Sequence, residues 1–387
     1  MAAGSIPTEP LVKLSNIPGR GRALLASRHI KAGEILLSDA PLLLYPASPT
    51  ASAPSSSFTS TSPFCSHCFR SLGSDPVPCV FCPSAVFCST HCLSAGLSSF
   101  HTPSLCAVLA SLPPLPNSEL LAQSHFLLAA FVLSSSSPAN FHLLLSLDGS
   151  DASQEDAIFL HSLLGPLTGF SLELTAALIA KDRRNSFGLM EPLRKEDAGG
   201  RTVRAYGIYP NASFFNHDCL PNACRFDYLD RDGDGNTGIT IRAINDIPEG
   251  REVCLSYFPA NWGYAERQQR LMEDYGFHCS CDRCEVEKNW KDDDEGMEDE
   301  DEDEGVEGLE GENCEDAGDG DADFPHAYFF VRYVCDQENC GGTMAPLPPL
   351  PEGTPSGLLE CNACGWLKKE EGFGGDDDGG DGVMLDV

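Results

Sequence analysis

The chain has 387 residues, with 25 Lys and Arg against 58 Asp and Glu, a formal net charge of −33. That length allows more than one domain, and so acidic a balance disfavours phosphate-driven nucleic acid binding and favours cationic partners. The first ten residues lack a basic stretch followed by an apolar one, and no apolar run reaches the roughly 20 residues a bilayer needs, so neither export nor membrane insertion is expected.

Residues 11–45 read as short strands, with Gly19 and Gly21 in a Gly-Arg-Gly turn that lets the backbone bend tightly or approach a ligand. Residues 46–64 are rich in Ser, Pro, Ala and Thr and read as a linker. Between 65 and 106, Cys65, Cys68, Cys79, Cys82, Cys88, Cys92, His101 and Cys106 supply eight ligands, enough for two tetrahedral zinc sites. In a chain with no export signal such close pairs predict metal thiolates rather than disulfides, and metal binding would supply most of this segment's folding free energy.

From 115 to 181 the periodicity is helical, punctuated by Pro138 and by Gly165 with Pro166; His125, His142 and His161 are isolated and read as packed or surface side chains. Residues 182–257 return to β character, with strands expected at 184–189, 205–209, 225–229 and 239–244. The Asp- and Gly-rich run at 230–235 mimics the start of a calcium loop, but the twelfth position is Ile241 rather than Glu, so a hairpin turn is expected. A helix is expected at 265–275, followed by Cys279, Cys281 and Cys284, which leave a zinc site one ligand short. Residues 286–324 are an acidic segment that cannot collapse and is expected to be disordered. Cys335, Cys340, Cys361 and Cys364 then make a fourth ligand set in a zinc-ribbon-like module at 325–367, interrupted by a proline-rich run at 346–351, and residues 368–387 form an acidic tail.

The most informative stretch is 207–222. Phe214 and Phe215 lead into Asn216, His217, Asp218 and Cys219, closed by Pro221 and Asn222, a mixture that an ordinary surface loop does not explain. It resembles the Asn-His-Ser-Cys-x-Pro-Asn signature of SET-domain lysine methyltransferases, with Asp218 where Ser is usual. Together with the Gly-Arg-Gly turn, the inserted cysteine segment and the later Gly250-x-Glu252 to Tyr257 run, the order of motifs resembles the SET-and-MYND subfamily, and within it the plant SET-domain-group proteins.

The resemblance implies an α+β fold: a β-rich SET domain split into 11–45 and 182–257, with a knot-like crossing near the signature, an inserted MYND finger at 65–106, a helical insert at 115–181 and a post-SET segment at 258–285. It implies zinc on Cys65, Cys68, Cys88 and Cys92, on Cys79, Cys82, His101 and Cys106, and on Cys219 with Cys279, Cys281 and Cys284. S-adenosylmethionine would be held by Arg20, Gly21, Arg22, Asn185, Asn216, His217, Tyr257 and Phe277, with Asn216 and His217 giving hydrogen bonds and Phe277 stacking near the adenine. Tyr257 would orient the lysine amine, and Tyr209 and Tyr275 would line its channel. The implied substrate is a lysine of a histone tail or other basic protein, the implied partner of the finger a proline-rich peptide, and the expected location the nucleus, the cytoplasm or both. The competing expectation is a non-catalytic adaptor built from the same modules.

Overall fold

The computed structural model describes residues 10–47, 63–82, 85–113, 115–149, 154–193, 201–231, 236–289, 326–350 and 353–370; most of the acidic segment and the tail beyond 370 lie outside them. The chain opens with the antiparallel hairpin β1 (Val12–Ile17) and β2 (Gly21–Ala26), in which Ile17 pairs with Gly21. The turn between them works because Gly19 and Gly21 take φ of 78° and 73°, a region costly for a residue with a Cβ. β3 (Ile35–Asp39) and β4 (Leu43–Pro46) follow and enter different sheets.

The cysteine-rich segment contributes the two-residue strands β5 (Val77–Pro78) and β6 (Val86–Phe87) and helices α1 (Thr90–Ser98) and α2 (Pro103–Ser111). Its core is mostly cysteines, with Ala85 and Phe87 as the buried hydrocarbon. It is tied to the rest by Arg204, which donates to the Phe69 carbonyl and to Asp230 and lies over the Phe64 ring. Asp230 also accepts from Ser71, so the carboxylate that imitated a calcium ligand is already occupied; residues 232–235 of that turn lie outside the described residues.

Four helices come next: α3 (Ser118–Ser136), α4 (Pro138–Ser146), α5 (Gln154–Thr168) and α6 (Leu172–Asn185). Asn117 and Ser171 cap α3 and α6 by accepting from Leu120 and Leu174 main-chain N–H groups, and Pro138 sits in the first turn of α4, where its missing N–H costs nothing. The helices pack as one core on β4, with Phe126, Leu160 and Leu178 around Leu43 and Tyr45. Two boundaries differ from the sequence expectation. α5 runs through Gly165 and Pro166 into its last turn, and α6 continues through Arg184 and Asn185, where two arginines suit the helix C-terminus, so the strand expected from 184 begins at Ser186.

β7 (Ser186–Met190) and β8 (Val203–Ile208) join β4 in the order β4-β8-β7. β9 (Asn216–His217) leads to β10 (Ala223–Asp227) and β11 (Ile239–Ala243), and β11 lies between β10 and β3. β12 (Cys254–Leu255) runs parallel to β9, pairing Cys254 with Asn216 and Leu255 with His217. Leu24, Ile30, Leu189, Ile241 and Val253 share one core, so residues far apart in the chain make a single unit.

α7 (Tyr264–Arg270) passes into a π-helical turn at Leu271–Tyr275, stopped by Gly276 at φ 74°, and α8 (Asp282–Glu287) follows. The last described stretch holds α9 (Ala327–Tyr333), β13 (Met344–Pro346), β14 (Leu358–Cys361) and β15 (Leu367–Lys369). It packs tightly on the sheet of β10 and β11: Phe329, Tyr333 and Ala345 share a core with Cys224, Phe226, Ile244 and Ala260. Among the described residues no single helix is long and apolar enough to cross a membrane.

Candidate active site and metal centres

The parallel pairing of β9 with β12 brings the signature segment beside Tyr257, two residues beyond β12. The Tyr257 main-chain N–H donates to His217 Nδ1 at 3.2 Å, and its hydroxyl donates to the Phe215 carbonyl at 2.9 Å. Both ends of the tyrosine are thus held by residues 215–217. Burial raises its pKa well above the usual phenol value, with the Tyr275 ring 4.7 Å away adding to the effect, so the hydroxyl stays protonated across the physiological range. Tyr275 is delivered by the π-turn, its own pKa pushed up by burial to about 12, and Phe277 follows with its ring 6.4 Å from that of Tyr275 and 38% exposed.

His217 is buried, and that burial lowers its pKa to about 3, which keeps the ring neutral. Its Nε2 lies 3.2 Å from Cys219 Sγ, so both ring nitrogens have partners within the protein. The expected hydrogen bonding of His217 to a cofactor is thus left to its main chain. Its carbonyl accepts from Arg20 Nη2 at 3.1 Å and keeps a second lone pair.

Arg20 is also paired through Nε with Glu252 at 2.8 Å, and the same carboxylate accepts from Asn216 Nδ2. Glu252 belongs to the 248–257 run, yet nothing in its position along the chain disclosed that it would knit Arg20 to Asn216. Arg22 Nη1 donates to the Ser146 carbonyl, Lys181 Nζ to that of Leu147, and Asn185 Nδ2 to that of Asp148, so three successive carbonyls at the end of α4 are gripped by basic or amide side chains. With its amide hydrogens given to Asp148 and Lys181 carbonyls, Asn185 has its side-chain oxygen left to offer. Asn185 and Asn216 thus keep amide oxygens with no donor among the described contacts, Gly21 has open space where a Cβ would stand, and Phe277 is exposed, features that each suit contact with a polar ligand carrying a flat aromatic part.

Tyr209 is placed elsewhere. It is fully buried, donates its hydroxyl to the Thr237 carbonyl and packs edge-on to Phe187, so its described contacts are with the core rather than with the Tyr257 and Tyr275 rings. A cavity of about 740 Å³, lined by Arg20, Asp218, Asn222, Glu252 and Cys281 among others, includes Arg20 in its wall but not Tyr257, Asn185 or Phe277. The directed hydrogen bonds converge at Tyr257, outside that cavity.

All sixteen metal-ligand candidates gather into the four expected sets, each with its ligand atoms within 4.8 Å of one another. Tetrahedral thiolates at the usual zinc–sulfur distance stand about 3.8 Å apart. The observed sulfur separations match: 3.7 Å for Cys68 to Cys88, 3.7 Å for Cys79 to Cys106, 3.9 Å for Cys219 to Cys279, and 3.8 Å for Cys335 to Cys364. These are far from disulfide bonding, and the donor sets fit Zn²⁺. His101 Nε2 faces Cys82 and Cys106 sulfurs at 3.4 and 2.7 Å. Around the third set, Gln268 donates to Cys284 Sγ at 3.3 Å and Arg267 reaches it at 3.7 Å, offsetting thiolate charge. Cys224 and Cys254 stay outside the clusters, each with its thiol pKa pushed up to about 12 by burial.

Comparison with known proteins finds SET-domain relatives. The family described as the SET domain matches residues 21–258. Over 407 aligned residues the chain is 48% identical to the histone-lysine N-methyltransferase ASHR2 of Arabidopsis thaliana, covering 95% of this chain and 98% of that protein. It is 40% identical to the protein-lysine N-methyltransferase SMYD4 of Homo sapiens over 90 residues, 22% of this chain and 10% of the relative. A crystal structure of the SET domain of LSMT bound to methyl-lysine and AdoHcy aligns over 71% of this chain and 54% of the other, with a TM-score of 0.37 and 14% identity.

Proposed function

The chain belongs to the SET-domain family of protein-lysine methyltransferases, and from that premise we propose that the cleft beside Tyr257 transfers a methyl group from S-adenosylmethionine to a lysine of a histone or another basic protein. The observation that carries the assignment is the grip on Tyr257, whose hydroxyl hydrogen is committed to the Phe215 carbonyl. The phenol oxygen is left with lone pairs to accept from a lysine amine, which orients the amine without taking its proton.

When bound, the cofactor supplies an electrophilic sulfonium methyl group. The protein's part is alignment and exclusion of water: Tyr257 and Tyr275 make walls that strip water from the amine, and it is this loss of hydration that favours the neutral, nucleophilic form. The oxygens of Asn185 and Asn216 would accept hydrogen bonds from the cofactor, the backbone at Gly21 would allow its close approach, and Phe277 would cover its aromatic part. A pure adaptor has no use for a tyrosine fixed in this way.

We read residues 65–106 as a MYND-type double zinc finger, Cys219 with Cys279, Cys281 and Cys284 as a post-SET zinc site, and the fourth set as a ribbon-type zinc site. A histone substrate would require the chain to reach the nucleus. The test is purified protein with labelled S-adenosylmethionine, core histones and cell extract, wild type beside Tyr257→Phe. Label entering a histone or other basic protein only with wild type is the expected result; a folded wild type that binds the cofactor and labels nothing would remove the assignment.

A further inference from the structure

We propose that His217 is a positioning residue whose imidazole bridges the Cys219 thiolate of the third metal set to the main-chain N–H of Tyr257, so that the metal centre sets where the catalytic tyrosine stands. The role of each atom is forced. A main-chain N–H can only donate, so Nδ1, 3.2 Å away, carries no hydrogen and accepts. The ring hydrogen then resides on Nε2, which faces Cys219 Sγ at 3.2 Å, and a metal-bound thiolate can only accept.

The strand register explains why one side chain can span the gap. Leu255 pairs with His217 in the parallel ladder, and the Asp218 N–H donates to the Leu255 carbonyl at 3.0 Å. Tyr257 and Cys219 each lie two residues beyond that pair, leaving the paired strands together, and the imidazole fills the space between them. The ring has little freedom: it is 3% exposed and lies 5.2 Å from the Tyr257 ring and 4.7 Å from that of Phe258. Phe258 stacks on Trp262, whose carbonyl accepts from Arg267 Nη1, and Arg267 Nη2 reaches back to Cys284 of the same metal set. A second chain of contacts therefore runs from Cys284 through Arg267, Trp262 and Phe258 to the same imidazole.

This rests on Tyr257 as the lysine-orienting residue, and its first test is independent of activity. Protein labelled with ¹⁵N-histidine and loaded with ¹¹³Cd in place of zinc should show His217 as the Nε2–H tautomer, with a scalar coupling from that hydrogen through Cys219 sulfur to cadmium. The Nδ1–H tautomer, or no coupling in metal-loaded protein, overturns the bridge even if methyl transfer is normal. A second test compares His217→Asn, which keeps an acceptor near the Nδ1 position, with His217→Phe, which keeps neither bond. Losses in the 10- to 100-fold range are usual for groups that orient metal ligands, so kcat should fall about tenfold in the first and about 100-fold in the second, with cofactor Kd within about threefold of wild type. Cofactor affinity falling in step with kcat in both variants would make the ring a cofactor ligand and not a bridge.

Discussion

Tyr257, the residue we propose to orient the lysine amine, illustrates how little of a side chain's role lies in its own identity. Its hydroxyl and main-chain N–H are both directed by neighbours in the signature, one of them a carbonyl, so Tyr257→Phe removes an amine-orienting oxygen and leaves the ring packing intact. Loss of one such preorganised group costs about 10²- to 10³-fold in kcat, with cofactor affinity little changed, and single-turnover assays beside calorimetry would separate the two. Asp182 shows a different residue-level effect. It is buried, accepts from the Tyr45 hydroxyl, faces Tyr206 and Glu119 nearby, and burial raises its pKa to about 7. Its folded-state pKa lies above the unfolded value, so the protonated group's stabilisation is complete below about pH 4 and is lost as pH rises through about 7. Asp182→Asn should remove that decline, and urea midpoints measured from pH 5 to 8 would check it; parallel curves for the two proteins would sink the idea. Asn216 and His217 stood out in the sequence because such side chains are unusual in that order. Phe215 and Asp148 did not, since they act through carbonyls that every residue possesses.

Elements were read most accurately where a local rule dominates. The Gly19 and Gly21 turn follows from the conformational freedom of two residues without a Cβ. The end of α6 was misjudged because Ser186, Phe187 and the residues after them suit a strand, while tertiary contacts keep Arg184 and Asn185 helical: Arg184 pairs with Asp148 and Asn185 binds the Asp148 carbonyl. The approach of the α4 end to α6 depends on Gly149, at φ 138°, where an added Cβ would lie 2.6 Å from the Ala180 carbonyl oxygen. Gly149→Ala should therefore push residues 146–149 away from α6, loosening Arg22 and Asn185 together. Backbone strain of this kind costs of order 1–3 kcal/mol, and cofactor affinity should fall more than the affinity for a lysine peptide in product-bound enzyme. A variant that binds the cofactor as wild type does would show that this segment is not what holds Asn185.

At the scale of the whole molecule, the split of the SET core was legible only from the order of motifs, because no local pattern says that β3 will pair with β11 some 200 residues later. The same limit applied to the C-terminal cysteine module. Its ligands could be counted from spacing, but not its docking, which uses Arg242 beneath β14: the guanidinium pairs with Glu360 at 2.9 Å and lies 3.8 Å from the Phe226 ring centre, with both charged groups buried. Glu360→Ala would strand that arginine, and breaking a buried pair from one side costs about 3–5 kcal/mol, readable in urea unfolding. Asn362 adds a bond to the Arg225 carbonyl, and Gly33 leaves room for the Leu347 carbonyl.

Metal content tests this integration directly. The four closed sets among the described residues predict four zinc ions per chain, and fully folded protein carrying only about two would contradict the ligand assignment. Cys335→Ser should lower the count to three. Because Phe329, Tyr333 and Ala345 share their core with Cys224, Phe226 and Ala260, that loss should not stay local. The unfolding transition that exposes the SET core should move to lower temperature, and methyl transfer should be lost at temperatures where wild type is still fully active. An independent module would behave otherwise: three zinc ions, an unchanged main transition in calorimetry and unchanged methyl transfer at every temperature would separate the C-terminal segment from the catalytic unit.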